Sequence, residues 1–193
     1  MLDRLRGGGR GALVEVRLNA RLQPVHRGDR YEDPLAYWLE EHFTGTRVTG
    51  GGTLVSPEGE PLACALDVET TDGLDAVLDA IVLTLERVGA PRGSSLDVQG
   101  REPRPFGVTE GLALRLDGVG LASEVYQDND INDLIDEVQA ALAGIGELQS
   151  WWEGPTQTVL YLYGRAAATM LDALGPVLAA NPLSHNAQLD QIA

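Results

Sequence analysis

The chain has 193 residues, and its 29 acidic and 14 basic residues give a formal net charge of −15. A charge this negative disfavours binding to nucleic acid or to an anionic membrane, because phosphate groups would be repelled. No stretch approaches the roughly 20 consecutive apolar residues that span a bilayer, the N-terminus lacks the apolar run of a signal peptide, and the single cysteine, Cys64, cannot form an internal disulfide. We therefore expect a cytoplasmic protein.

The first half of the chain follows the order β-α-β-β-α-β. Residues 1–11 are rich in glycine and arginine and predict a flexible arm. Hydrophobic periodicity and turn residues then define the elements. They are a strand over 12–18, a helix with Asp33 as its cap, strands over 47–55 and 62–69, a helix capped by Asp72, and a strand over 95–99.

The second half repeats this order. The predicted elements are a strand around 112–116, a helix over 131–142, strands over 147–152 and 157–163, a helix over 166–178 that Pro176 kinks or restarts, and a strand over 187–192. Short matches support a duplication: Leu78-Asp79-Ala80 recurs as Leu171-Asp172-Ala173, and Leu35 matches Leu134.

These patterns predict an α+β protein built by tandem duplication of two ferredoxin-like halves. The halves are 12–99 and 109–193, joined by a linker over 100–108. Each half leaves one sheet face without helices. We therefore expect the two halves to bury part of their surface against each other.

No catalytic or metal-binding motif stands out. Asp128 to Asp133 begins like a calcium loop, but Asp133 and Gln139 replace the glycine and glutamate that such a loop needs at its sixth and twelfth positions. The pattern instead favours a helix capped by Asp128 or Asp130. Cys64 alternates with apolar residues and is predicted to lie in the core. We predict no metal, no cofactor and no enzymatic activity.

The glycine run Thr49-Gly50-Gly51-Gly52-Thr53 could approach a phosphate. However, no Gly-Lys-Ser/Thr sequence follows it, and the strand pattern continues through it. A bulged or bent strand is the favoured interpretation.

The helix over 131–142 carries acidic residues away from its apolar stripe, and no base occurs between Arg115 and Arg165. Two interpretations stay open, a solvated surface and a docking surface for a basic protein. The residues that would form the docking surface are Asp130, Asp133, Asp136 and Glu137.

Aromatic residues cluster on the neighbouring strands. Trp151 and Trp152 must face opposite sides of their strand, whereas Tyr161 and Tyr163 share one side. Trp152, Tyr161 and Tyr163 are candidates for apolar anchors of a protein partner. The alternative is that their face forms the internal seam between the halves.

A different class of function is a module that binds a small ligand or metabolite in a cleft between the halves, with or without catalysis. Its candidate residues are Gly50, Gly51, Gly52, Arg115, Trp152 and Tyr161.

Several segments together resemble a family of small bacterial proteins, the immunity proteins of polymorphic toxin systems. They are Tyr31-Glu32-Asp33-Pro34-Leu35, Val48-Thr49-Gly50-Gly51-Gly52-Thr53, Trp152-Glu153-Gly154-Pro155-Thr156 and Tyr161-Leu162-Tyr163-Gly164. The resemblance implies a stoichiometric inhibitor that occludes a toxin domain, and it implies no catalytic residues.

Overall fold

A computed structural model describes residues 11–193, so all of the predicted flexible arm except Gly11 lies outside the described residues. The protein is mixed α+β with two antiparallel sheets. One sheet belongs to each half of the chain, and helices pack on one face of each.

The first half supplies a five-stranded sheet with the strand order β2-β3-β1-β4-β5. Its strands are β1 (Ala12–Leu18), β2 (Thr46–Val55), β3 (Pro61–Thr70), β4 (Ser94–Val98) and β5 (Arg104–Phe106). Its helices are α1 (Pro24–Arg27), α2 (Asp33–His42) and α3 (Leu74–Arg87), with a π-helical segment over Gly28–Glu32. Alternate residues of β1 point toward α2 and α3 and form a core in which Cys64 is buried, as predicted.

The second half supplies a four-stranded sheet with the strand order β7-β8-β6-β9. Its strands are β6 (Glu110–Asp117), β7 (Gly146–Glu153), β8 (Gln157–Gly164) and β9 (Gln188–Gln191). Its helices are α4 (Ser123–Asp128), α5 (Ile131–Leu142) and α6 (Ala167–Ala180), with a 3₁₀ turn over Pro182–Ser184. The core lies between the sheet and the helices α5 and α6, and includes Leu114, Leu134 and Met170.

Several local predictions were wrong. Asp33 is the first residue of α2 rather than its cap, because the preceding π-helical segment leads directly into that helix. Asp72 does not cap α3; its carboxylate accepts hydrogen bonds from the Gly45 amide and the Thr46 hydroxyl. Of the two effects predicted for Pro176, a restart of the helix is wrong, because α6 continues through that residue.

The segment over 100–108, predicted as a linker, contains strand β5, which pairs with β4 at the edge of the first sheet. The sequence pattern also missed α1 and α4, which are four and six residues long. Helices this short carry too few residues to show a 3.6-residue period.

The helix-free face of the second sheet is covered by the first half. Ala113, Val159, Tyr161 and Tyr163 are at most 1% exposed and form a separate buried cluster. Two segments of the first half cover this face: the chain after β1, over 19–30, and the turn between β2 and β3. We call this contact the seam.

The helix-free face of the first sheet is open instead. Its central residues include Glu15 and Arg17, whose side chains are 43% and 58% exposed. None of the helices among residues 11–193 is both long and apolar enough to cross a membrane.

Candidate partner-binding surface

Helix α5 displays the predicted acidic residues on its outer side. It begins after Asp130, whose Oδ1 accepts a hydrogen bond from the Asn132 amide at 2.8 Å and so caps the helix, which was one of the two predicted caps. The inward stripe buries Leu134, Val138 and Leu142 against the sheet. Since those positions face inward, the acidic side chains of the helix lie on its exposed side.

All four predicted acids, Asp130, Asp133, Asp136 and Glu137, are exposed. Glu137 accepts a hydrogen bond from the Asn181 side chain at 3.1 Å. Between Arg115 and Arg165, the only acid that pairs with a cation in the described part of the chain is Glu147, which bonds to Arg30. We call Asp133, Asp136 and Glu137 the acidic face. No arginine among residues 11–193 forms an ion pair with these three acids.

The two tyrosines are not available to a partner, so their prediction as exposed anchors was wrong. Tyr163 is 1% exposed, and its hydroxyl accepts a hydrogen bond from the Arg21 amide at 2.8 Å. Tyr161 is fully buried, and its hydroxyl donates to Glu60 at 3.0 Å. Burial raises the pKa of both phenols. They belong to the seam, which was the alternative interpretation.

The two tryptophans do face opposite sides of β7. Trp152 packs, partly buried, against the tyrosine cluster of the seam. Trp151 points to the helix side of the sheet and is 46% exposed. The centroid of its ring lies 4.8 Å from the centroid of the His26 ring. The sequence alternation predicts that the two differ, but it does not say which one is covered. The exposed aromatic residue is therefore Trp151 rather than Trp152.

A carboxylate already fills the polar centre of the predicted ligand cleft. Glu60 accepts hydrogen bonds from Arg115 at 2.9 Å, Arg21 at 3.2 Å and Tyr161 at 3.0 Å. Arg115 also bonds to Asp190 at 3.0 Å. Burial alone would raise the pKa of Glu60, but the hydrogen bonds from Arg115 and Tyr161 hold it below its ordinary value. Arg115 and Tyr161 thus serve the seam.

The glycine run has a structural role in the edge strand β2. A register shift between Val48 and Gly50 marks the predicted bulge, which is confirmed. A Cβ on Gly51 would lie 2.7 Å from the backbone oxygen of Ala65, so a larger residue would push the two strands apart. The close approach of β2 and β3 therefore accounts for Gly51, and no phosphate ligand is needed to explain it.

A groove runs between α5 and the edge strand β7, with a volume of about 620 Å³. Its walls are largely apolar and include Ile131, Ile135, Leu148 and Leu160, with Trp151 and His26 at one side. The sequence pattern does not predict this groove. The available signal was the pair of apolar positions, Ile131 and Ile135, at the border of the stripe on α5.

The remaining candidates for chemistry lie apart from this surface. Cys64 is 3% exposed, and burial raises the pKa of its thiol. Among residues 11–193, no group of three or more His, Cys, Asp or Glu side chains is placed to hold a metal ion.

No protein family model matches the chain, and no curated protein matches it. Among solved structures it is similar to an unknown protein from Galdieria sulphuraria, with 12% identity, coverage of 94% of this chain and 96% of that chain, and a TM-score of 0.29. It is also similar to the ligand-free regulatory subunit of aspartate kinase from Thermus thermophilus, with 15% identity, coverage of 86% of this chain and 93% of that chain, and a TM-score of 0.28. A third similar structure is a proposed monooxygenase from Lactobacillus acidophilus, with 8% identity, coverage of 95% of this chain and 94% of that chain, and a TM-score of 0.31. With TM-scores this low, none of these likenesses carries an argument about function.

Proposed function

We propose that this chain is a binding protein of the immunity type, which inhibits a basic toxin domain by occluding it. The observation that carries the proposal is the acidic face of α5. Asp133, Asp136 and Glu137 are exposed, and the 116–164 region around them contains no arginine, lysine or histidine. The resemblance in the sequence favours the same class of protein.

An acidic surface suits an inhibitor that must find its target quickly. A field of one sign steers an oppositely charged partner during diffusion and raises the association rate by factors of about 10 to 10³. Occlusion needs no catalytic group, so the inhibitor does not have to be an enzyme. The proposal places the protein in the cytoplasm, with a basic protein as partner and neither nucleic acid nor a membrane.

We further propose that the two halves are diverged copies of one ferredoxin-like unit. In each half, a β-α-β-β-α-β order is combined with an antiparallel sheet in which the first strand lies between the third and the last of those four strands. The short sequence matches, which are 99 residues apart early in each half and 93 residues apart later, support a common origin.

The test of function begins with the gene beside the gene for this chain: if it encodes a toxin-like protein with a basic C-terminal domain, that domain is the partner to test. Co-expression measures protection of the cell, and stopped-flow mixing of the two purified proteins measures the association rate. The key variant carries Asp133→Lys, Asp136→Lys and Glu137→Lys. Asp130 is left unchanged because it caps the helix. A matched control carries Glu40→Lys, Glu58→Lys and Glu102→Lys, which are exposed acids elsewhere, so both variants have the same net charge.

We expect the key variant to associate at least about tenfold more slowly at low salt, with a flatter dependence on ionic strength. The control should stay close to the unmodified protein. Equal slowing in both variants would mean that net charge, rather than the acidic face, drives association. Failure of the unmodified protein to protect the cell, together with no binding by calorimetry at low salt, would remove the proposal.

A further inference from the structure

The edge strand β2 of the first sheet has an unpaired outer side. It is ten residues long, whereas strands of about 5–6 residues are the most common. Among residues 11–193, its backbone makes backbone hydrogen bonds only to β3, so the groups on its other side have no such partner. A long edge that contains neither lysine nor proline is able to pair with a strand of another chain.

Strand β2 is also the edge at which this acidic chain would repel a second copy least. Its ten residues include no Asp or Glu, and Arg47 is its only charged residue. Of the other edge strands in the described part of the chain, β7 carries Glu147 and Glu153, β9 carries Asp190, and β5 has only three residues. Like charges that lie opposite each other destabilise a pair of strands. Two copies with a net charge of −15 each therefore meet most easily along β2.

Two of the three glycines in β2 are not explained by contacts within the chain. A Cβ on Gly52 would meet no atom within 4 Å, and one on Gly50 would lie 3.5 Å from a carboxylate oxygen of Asp67, which is an ordinary contact distance. Neither glycine has a positive φ. Glycine weakens a strand, and away from a bulge it often marks a place where another backbone comes close. The bare surface at these positions can therefore receive a group from another chain.

The sequence of β2 is complementary to itself. Beyond the bulge, Gly50, Gly52 and Leu54 share the helix-free side of the sheet, because their partners on β3 alternate with the buried Cys64 and Leu66. Two identical strands that pair antiparallel are related by a two-fold axis. With that axis at Gly52, Leu54 of each copy lies opposite Gly50 of the other. Leu54 is 63% exposed, so this register covers an apolar side chain with the bare strand at a glycine.

We propose that β2 pairs antiparallel with β2 of a second copy of this chain. The two five-stranded sheets then join edge to edge in a symmetric dimer. A contact between two strand edges is small, so we expect a weak dimer that dissociates on dilution. The acidic face lies in the other half of the chain, and the inference does not depend on the proposed function.

The first test is sedimentation velocity of the full chain from about 1 µM to 1 mM, the range in which a weak dimer dissociates. The unmodified chain should change from monomer to dimer as its concentration rises. Gly52→Lys should weaken the dimer at least about tenfold, because the two lysines would lie at the axis and repel each other. The matched control is Gln99→Lys, which makes the same change in charge at an exposed turn of the same half and should leave the dimer intact.

A second pair of variants separates the strand edge from the helix-free face. Leu54→Ser removes the side chain that would cover Gly50 and should weaken the dimer about fivefold. Leu13→Ser is the control, because Leu13 is 55% exposed on the same face but lies on the central strand β1. It should leave the dimer unchanged. Since both variants alter only exposed side chains, this comparison decides the question even if Gly52→Lys lowers the stability of the fold.

Hydrogen exchange locates the contact independently. Amides within 49–55 should exchange more slowly at high than at low protein concentration, because pairing protects those that face outward. Three results would overturn the inference: a monomer at every concentration, a dimer that neither Gly52→Lys nor Leu54→Ser weakens, or exchange within 49–55 that does not depend on concentration. None of these results bears on the toxin experiment, which depends on the acidic face.

Discussion

Each half of this protein has one sheet face that carries no helices. One of these two faces is buried and the other is exposed to solvent. In the second half the face is built from Ala113, Val159, Tyr161 and Tyr163, all at most 1% exposed beneath the first half. In the first half the corresponding face carries charges and is open to solvent.

The charged face is organised around a cross-strand row of acids. Asp97, Glu15 and Asp67 lie opposite one another on β4, β1 and β3. Like charges in this arrangement destabilise a sheet. Arg17 offsets part of this repulsion, because its guanidinium lies 3.0 Å from Glu15 and 3.4 Å from Asp97. Such a row is tolerable where water screens it, and it would be costly inside a seam.

The difference teaches that residue type, rather than element order, decides which face is buried. Tyrosine combines a large apolar ring with a hydroxyl that needs a partner. In the seam those partners are the Arg21 amide and Glu60 of the first half. The seam therefore removes the helix-free face of the second sheet from the accessible surface, whereas the outer side of the second half, with α5 and the groove, stays exposed.

The largest expected effect is at the buried face. Replacing Tyr163→Ala should lower the free energy of unfolding by about 3–5 kcal/mol, because it opens a cavity in the seam. The matching change on the open face, Arg17→Ala, should stay within about 0.5 kcal/mol. Urea denaturation followed by circular dichroism measures both. Similar losses in the two variants would contradict the contrast between the faces.

A smaller loss is expected at the polar centre of the seam. Glu60→Ala leaves Arg115 and Arg21, which are 19% and 24% exposed, without their shared carboxylate. We expect a loss of about 2 kcal/mol, less than for a fully buried ion pair. Glu58→Ala on the same turn is the control, since Glu58 bonds only to the neighbouring Ser56 among described side chains. An unchanged denaturation midpoint in the Glu60 variant would show that the seam does not depend on this carboxylate.

The same carboxylate gives a pH dependence. The pKa of Glu60 is lower in the folded protein than the roughly 4.3 of an unfolded glutamate. Its stabilising effect is therefore complete above that value and is lost as the pH falls below it, through the lower pKa of the folded protein. As the pH falls below about 4.3, the unmodified protein should therefore lose more stability than Glu60→Gln. Parallel curves of unfolding free energy against pH would contradict this role.

The elements themselves could largely be predicted from the sequence. Strand β1 has its predicted bounds, 12–18, and the apolar stripe of α5 is as expected, because both show long, regular periods. The burial of Tyr161 and Tyr163 in the seam could not be predicted in the same way. Alternation tells which residues share a face, but the seam depends on contacts with Arg21 and Glu60, more than 100 residues away.

The groove was missed for a related reason. Gln149 lines the groove because it lies in a bulge of β7. No glycine or proline at that bulge predicts it from the sequence. For the same reason the sequence did not tell Trp151 from Trp152. Both need the register of the sheet, which only the folded structure supplies.

The smallest effect on stability should come from the exposed tryptophan. Trp151→Ala should change the free energy of unfolding by less than about 1 kcal/mol, because the residue is 46% exposed. Trp152→Ala should cost more, since Trp152 packs on the tyrosine cluster. Thermal unfolding by calorimetry compares the two variants. A larger loss for Trp151→Ala would mean that this ring belongs to the core rather than to a binding surface.

The contrast between the two faces is tested most directly by carbodiimide labelling of carboxyl groups with glycine ethyl ester, read out by mass spectrometry. Glu15 on the open face and Glu58 on the turn should label quickly. Glu60, two residues further along, has a side chain that is 14% exposed and holds three hydrogen-bond donors, so it should label at least about tenfold more slowly. Labelling of Glu60 as fast as Glu58 would contradict a closed seam.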